Sequence, residues 1–246
     1  MIKAENKQIH KSVSIGENVS IDKNTVIGPH VVISRDCEIG QNNKIYQFAS
    51  ISEIPQDKKY NGEDCKLVIG SGNTIREYCT INRGTKAGGE SITQLGNNNW
   101  IMAYVHIAHD CQVGNHTVFA NNASLSGHVK VDDWAILGGY AGVNQFVKIG
   151  AHSMIGGVTH VAHDIPAYVI VSGQPAAVRA INSIGLERRG FKKDIISVLR
   201  KAYKLIYLRG LSLTEALAQL ELLKKDCEAV ELLIESLKSS KKGIHR

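Results

Sequence analysis

A mainly β chain wound as a parallel β-helix and followed by a helical tail is the architecture that three observations predict. An aliphatic residue recurs at every sixth position from Ile9 to Ile51. It returns at Ile69, Ile75 and Ile81, then resumes in a shifted register from Leu95 through Leu137 to Val161, with Phe119 as the one aromatic in that series. Glycine often follows that residue, as at Gly16, Gly28, Gly40, Gly70, Gly96, Gly114, Gly138, Gly150 and Gly156. Repeats end near Pro166, and after a connector holding Gly173 and Pro175 the spacing turns helical. A period of six fits neither an α-helix nor an alternating strand, and it marks a coil of hexapeptide repeats.

Each hexad predicts one short strand with its aliphatic turned inward. Three hexads close a turn, so the repeats imply about eight turns and a prism roughly 40 Å tall at ~4.8 Å per coil. Glycine after the aliphatic is expected to serve a corner that needs unusual dihedrals, with Asp22, Ser34, Asp132 and Asn144 as short polar substitutes. The rhythm breaks twice. Asp57 and Glu63 stand where aliphatics are due, and the step from Ile81 to Leu95 is 14 residues long and holds Gly84, Gly88 and Gly89. Both breaks predict polar loops projecting from the coil, about 52–66 and 82–94, where ligand residues are commonly grafted. The coil is expected over 1–180 and a helical domain over 181–246. Its helices are read from the apolar spacing of Phe191 to Arg209, from a capping box at Ser212 and Glu215, and from Val230 to Leu237.

Composition narrows the function. Hydrophobic residues make up 43% of the 246, enough for a core, and aromatics only 6%, as a narrow aliphatic stack requires. No stretch is apolar enough to span a bilayer, and the first seven residues lack the apolar run of a secretory signal, so a soluble cytoplasmic protein without stable membrane insertion is expected. Cys37, Cys79 and Cys111 each stand two residues before a six-beat aliphatic and read as small buried thiols. The net charge of +6 belongs to the tail: residues 181–246 carry 14 Lys/Arg against 8 Asp/Glu, while 1–180 balance. Such a surface suits an acidic partner, and with no recognition motif or aromatic interleaving, nucleic acid is not expected.

Histidines cluster at His106, His109, His116 and His128, with Asp110 beside His109. One turn of 18 residues places Gly127 next to His109, and a second turn reaches Gln145. The ladder therefore offers an imidazole base, an adjacent carboxylate and a glycine N–H for a developing oxyanion, the elements of acyl transfer without a covalent enzyme intermediate. Half-exposed structural histidines are the plainer alternative. His106, His109 and His116 could also meet a metal across a subunit interface, but the spacing matches no strong motif and no metal is assigned.

The combination of His106-Ile107-Ala108-His109-Asp110-Cys111, Gln56-Asp57, Gly127-His128-Val129 and Arg188-Arg189-Gly190-Phe191 with the helical tail closely resembles the UDP-N-acetylglucosamine O-acyltransferases of lipid A synthesis, over nearly the whole chain. The resemblance implies a left-handed coil and a homotrimer with sites between subunits. It implies His109 as general base oriented by Asp110, Gly127 N–H as oxyanion donor, and transfer of a (3R)-3-hydroxyacyl chain from acyl carrier protein to the 3-position of the sugar. No permanently bound cofactor is implied, since the donor brings its own 4'-phosphopantetheine. By the same likeness Gln56, Asp57, Lys59, His106 and His128 contact substrate. Gln145 and Arg189 engage the diphosphate, Asn182 approaches the uracil, Arg188 serves substrate or carrier, and Gly157 leaves room for a long acyl chain of around C14. Lys192, Lys193, Arg200 and Lys201 are the expected docking surface for the acidic carrier.

Asn82 and Asn144 depart from the family pattern, standing where well-known members carry histidine. A 3-amino sugar giving an amide is therefore a second possible acceptor. Three further readings compete for the same coil: the later N-acyltransferase of the pathway, a zinc carbonic anhydrase and a non-enzymatic β-helical adaptor.

Overall fold

Among the described residues, strands of mostly two residues, nearly all carrying a six-beat aliphatic, stack into three walls of ten, eight and seven strands, parallel except for the last pair. The computed structural model describes residues 8–86 and 91–245; residues 1–7, and Gly88 and Gly89 of the second loop, lie outside the described residues. The first wall starts at Gln8–Ile9, the second at Ser14–Ile15 and the third at Val19–Ile21. The coil is left-handed, against the usual hand of crossovers between parallel strands.

Residues one turn apart sit side by side, as Val113 with Val131 and Leu125 with Val143. Across the first break the offset grows to 30, pairing Ile45 with Ile75, and across the second to 26, pairing Ile75 with Ile101. The breaks are therefore insertions of 12 and 8 residues on an 18-residue turn, and the stacking resumes beyond them after one register shift where Asn82 meets Glu53. Both leave the coil at the corner between the second and third walls: one after Ser50–Glu53, the other after Thr80–Asn82. That is also the corner that carries His109, which lies between His106–Ile107 and Gln112–Val113.

The inward aliphatics are buried from Ile21 to Val161, and Cys37, Cys79 and Cys111 lie among them. Burial pushes the Cys37 and Cys111 thiols up to about 12 and Cys79 to about 11, so they stay protonated and behave as small apolar groups. One inner edge is polar. The Asn43 carbonyl accepts from Asn73 N–H at 2.8 Å, Asn73 from Asn99 N–H at 2.9 Å, and Asn99 from Thr117 N–H at 2.8 Å. Each amide also donates to a glycine carbonyl, Gly70, Gly96 and Gly114 in turn. The ladder satisfies backbone groups at a corner where strand pairing stops.

The expected reason for glycine after the aliphatic is incorrect. Left-handed dihedrals fall two residues later, at Asn18, Asn24, His30, Asp36, Asn42 and Phe48 and onward around the coil. Gly70 is small for another reason: a Cβ there would stand 2.6 Å from the Gly96 carbonyl oxygen of the next coil. Aromatic side chains occupy several left-handed positions, at a cost of roughly 1–2 kcal/mol each. They stack on one another: His30, Phe48, Tyr78 and Tyr104 form one pile, and His116, Trp134, His152 and Tyr168 another. Such contacts contribute about 0.5–1.5 kcal/mol per pair, which offsets much of that strain.

The coil ends differently from the expectation of a plain connector. Val169–Ser172 continues the first wall and pairs antiparallel with Ala177–Ile181, so the segment holding Gly173 and Pro175 is a hairpin turn. Four helices follow: α1 (Ser183–Arg188), which the spacing does not reveal, α2 (Lys193–Tyr207), α3 (Leu213–Lys224) and α4 (Val230–Lys238). The Ser212–Glu215 capping box forms as expected. The tail joins the coil where the Tyr168 hydroxyl donates to Ala229 O at 2.9 Å and Ala167 N–H to Ser236 Oγ at 3.1 Å.

Asn73→Ala removes a buried acceptor and a buried donor and strands Asn99 N–H and Gly96 O. It is expected to lower stability by about 2–4 kcal/mol, read as a reduced denaturation midpoint; an unchanged midpoint would show that the ladder contributes nothing net.

Candidate active site

His109 and Gly127 meet as the 18-residue turn requires. A Cβ built on Gly127 would lie 2.5 Å from His109 Cε1 and 2.6 Å from Nε2. The imidazole edge therefore occupies space that any other residue at 127 would fill, and this close approach is why 127 is glycine. Among the described residues the Gly127 N–H meets no acceptor, and His109 Nε2 has no hydrogen-bond partner.

Asp110 adopts the left-handed conformation, φ 59°, which turns its carboxylate back toward the ring before it. Its Oδ2 lies 2.8 Å from His109 Nδ1. The second loop supplies two more donors: Thr85 N–H reaches Oδ1 at 2.9 Å and the Thr85 hydroxyl reaches Oδ2 at 2.6 Å. Asp110 N–H in turn donates to Thr93 Oγ1 at 2.8 Å. Burial pushes the Asp110 carboxyl upward, but the hydrogen bonds from His109 and Thr85 and the field of His128 outweigh it, so the group titrates below its ordinary value. An ionised Asp110 makes Nδ1 the protonated nitrogen and leaves the Nε2 lone pair beside Gly127. Thr85 cannot be found from periodicity, because its loop has none. Thr93 can be, since one turn on from 93 is Cys111, the neighbour of Asp110.

His128 stands edge-on to His109, with ring centroids 5.1 Å apart, and stacks flat on Phe146 at 4.5 Å. Burial lowers its pKa, while Asp110 and, more weakly, Asp57 of the first loop pull the other way. Gln56 and Lys59 are exposed on that loop, and Lys59 N–H donates to Asp57 Oδ1 at 3.0 Å. His106 shares a 2.7 Å hydrogen bond with Thr80 Oγ1, and burial lowers its pKa. Asn82 is buried and donates to Ile54 O at 2.8 Å, and its Oδ1 has no hydrogen-bond partner among the described residues. Asn144 is exposed beside Gln145 and bonds His160 Nε2 at 2.8 Å. Gly157 is exposed at the corner between the first and second walls, away from His109, and a Cβ there would press on the Gly139 carbonyl oxygen at 3.2 Å. His116 does not join the cluster and stacks instead on Trp134. Three side chains could hold one metal ion among the described residues, namely His109, Asp110 and His128, with ligand atoms within 4.8 Å of one another.

The remaining predicted contacts lie at a different corner, between the third and first walls. Arg189 donates to Trp134 O at 2.8 Å, leans on His152 Nδ1 at 3.3 Å and covers the Trp134 ring. Burial lowers the Arg189 pKa, and burial followed by the Arg189 charge takes His152 down to about 4. Asn182 is buried, caps α1 through Gly185 N–H at 3.2 Å and donates to His152 O at 2.9 Å, so its side chain already has a structural task. Arg188, Lys192, Lys193, Arg200 and Lys201 are exposed on α1, α2 and the link between them.

Thr85→Val keeps the shape but removes the hydroxyl donor to Asp110, a bond to a charged group worth about 1.5–3 kcal/mol. Turnover is expected to fall roughly tenfold to a hundredfold with substrate KM little changed; an unaltered turnover would show that the loop does not position the pair. His152 predicts an acid effect. Its folded pKa of about 4 lies below the unfolded value, so its contribution to stability is full above about pH 6.5 and is lost as pH falls toward 4. Between pH 7 and 5 the melting temperature should drop more steeply for the wild-type chain than for His152→Gln; parallel slopes would count against this.

Residues 164–245 match the family model described as UDP N-acetylglucosamine O-acyltransferase, Domain 2, and residues 92–127 match the bacterial transferase hexapeptide model of six repeats. The acyl-[acyl-carrier-protein]–UDP-N-acetylglucosamine O-acyltransferase of Thiobacillus denitrificans is 52% identical over 83% of this chain and 79% of its own. The Burkholderia lata protein of the same name is 52% identical over 85% and 80%. LpxA of Acinetobacter baumannii superposes with a TM-score of 0.91 at 43% identity, covering 100% of this chain and 97% of that one. These likenesses exclude an adaptor and a carbonic anhydrase, and the open imidazole, its carboxylate and the glycine beside it fit them. The chain belongs to the UDP-N-acetylglucosamine O-acyltransferase family.

Proposed function

We propose that the chain transfers a (3R)-3-hydroxyacyl group from acyl carrier protein to the 3-position of UDP-N-acetylglucosamine, the first step of lipid A synthesis. One observation carries the reading: an imidazole with a free Nε2 lies against a glycine whose N–H has no acceptor among the described residues. In the reaction, His109 Nε2 takes the proton of the sugar 3-hydroxyl as its oxygen attacks the thioester carbonyl. The Gly127 N–H receives the oxyanion, while Asp110 stabilises the imidazolium through Nδ1. Collapse breaks the carbon–sulfur bond, and His109 returns its proton to the departing pantetheine thiolate. The products are the ester and free carrier thiol, so no enzyme nucleophile and no resident cofactor is required.

Gln145 and Arg189 both serve the diphosphate in this reading, yet they occupy different corners of one prism. A second copy of the chain can bring the Arg189 corner against the His109 corner, which supports a homotrimer with its sites between subunits. Gln56, Asp57, Lys59, Asn82, His106 and His128 surround the sugar and acyl group, Asn144 stands beside Gln145, and Asn182 borders the uracil end. Gly157 leaves depth for a long chain. Lys192, Lys193, Arg200 and Lys201 attract the acidic carrier. No helix among the described residues is long and apolar enough to cross a membrane, and the substrates are those of the cytoplasm.

The enzyme is to be incubated with mixed 3-hydroxyacyl carrier proteins and either UDP-N-acetylglucosamine or its 3-amino analogue, and the products weighed. An ester of a chain near C14 is expected, and His109→Ala should reduce its rate by about 10²–10⁴. Amide formation in preference to ester would reassign the acceptor, and full activity in His109→Ala would remove the base.

A further inference from the structure

We propose that a basic cleft between the His109 corner and the C-terminal tail holds a phosphate ester of one of the two substrates; this rests on the acyl-transfer reading and assigns a site to it. The cleft measures about 580 Å³ and runs from Asp110 and His128 to Lys241 and Lys242, with Lys130, Lys148 and Phe146 between. It therefore adjoins the carboxylate that is bonded to His109.

Its lining carries four lysines against two carboxylates. Lys130 and Lys148 are register neighbours on adjacent strands of the third wall, and like charges directly opposite in a sheet repel. Lys148 is partly balanced, with Asp132 at 3.7 Å and Ser239 Oγ at 3.1 Å. Lys130, Lys241 and Lys242 form no ion pair among the described residues. The two carboxylates that line the cleft are committed elsewhere. Asp110 is taken by His109 and Thr85. Asp164 Oδ1 accepts from Lys148 N–H at 2.8 Å, and Oδ2 from the Ser240 hydroxyl, Lys241 N–H and Lys242 N–H at 2.9, 2.9 and 3.2 Å.

That second set of bonds shows how the cleft is built. Asp164 is buried and grips the tail by its backbone, and its own N–H donates to Gly243 O at 2.9 Å. The grip fixes the tail against the coil while leaving the ammonium groups of Lys241 and Lys242 unspent. Lys242 Nζ lies 5.6 Å from the Phe146 ring centre, on whose ring His128 also stacks. Four lysines against two carboxylates whose oxygens are already hydrogen-bonded leave the lining net positive, which fits a phosphate, bound by lysine as a point charge. Both substrates carry one: the diphosphate of the nucleotide sugar and the phosphodiester of the carrier arm.

The test uses the full chain and the double variant Lys130→Gln/Lys242→Gln, with Lys130→Arg/Lys242→Arg as the charge-preserving control. KM is measured for UDP-N-acetylglucosamine and for acyl-pantetheine donors with and without the terminal phosphate. The Gln variant should raise one KM about tenfold, and the Arg variant should restore it to within about twofold. A rise confined to the phosphorylated donor assigns the cleft to the carrier arm. A rise for the nucleotide sugar, with both donors affected alike, assigns it to the diphosphate. Either supports the proposal. Unchanged KM values in the Gln variant, or equal losses in the Gln and Arg variants, would overturn it. If the double variant melts early, competitive inhibition by pyrophosphate is compared between wild type and Lys130→Gln alone; equal inhibition overturns the proposal and weakened inhibition supports it. If wild type shows no transfer, the reaction itself is wrong, and calorimetric binding of pyrophosphate to the same two proteins decides the cleft separately.

Discussion

A hydrogen-bonded rung between successive coils is the constraint on which the molecule depends. Gln112 pairs with Lys130 and His106 with Ser124 because three short strands make one turn. The rung height of ~4.8 Å is set by the peptide group and not by any side chain. An imidazole is wide enough to cross that height only if the residue above it has no Cβ. Gly127 meets this condition, with the ring against its Cα. The imidazole and the glycine N–H thus come from two rungs of one ladder, and their separation is as rigid as the sheet that holds them.

Rigidity of the ladder does not orient the ring, and that task falls to the two insertions. Both leave the coil at the His109 corner, and they are tied to each other. Arg83 NH1 donates to Ser52 O at 3.0 Å, Asn82 to Ile54 O at 2.8 Å, and Lys86 N–H to Glu63 Oε1 at 3.3 Å. From this joined unit Thr85 reaches down to Asp110 with two donors. A carboxylate with three donors and little solvent stays ionised, holds the imidazole in one tautomer and lowers the cost of forming imidazolium. Among the described residues the second loop reaches the pair through the Thr85 bonds to Asp110.

This division explains what is legible in the chain alone. The walls, the inward cysteines, and the meeting of His109 with Gly127 all follow from counting, because periodic backbone pairing dictates them. The insertions preserve the count, so the shifted register after Leu95 is still informative about everything downstream. Thr85 is hidden because a loop has no period, and α1 because six residues show no helical face. The left-handed corners lie two residues beyond the glycines for a related reason. Glycine suggests unusual dihedrals, whereas Gly70 is small because the next coil passes close to it. The true left-handed positions hold Asn, Asp and stacked aromatics, whose neighbours compensate the strain.

The two polar corners differ in how their charge is managed, and this separates their roles. At Arg189 the guanidinium is already bonded to Trp134 O and covers an indole, and the nearby His152 is held neutral, so that corner presents one oriented cation on an aromatic wall. At the His109 corner the cationic side chains of Lys130, Lys148 and the tail line the cleft beside Asp110 and His128, while the Asp110 carboxylate is held by threonine donors. A base works best when its neighbours neither protonate it nor disperse its proton, and an anion is held best where ammonium groups lack partners. The chain satisfies both needs at one corner by binding its last residues through backbone N–H groups on Asp164. The tail therefore delivers two lysines to the edge of the site while the oxygens of Asp164 are turned to backbone and hydroxyl donors.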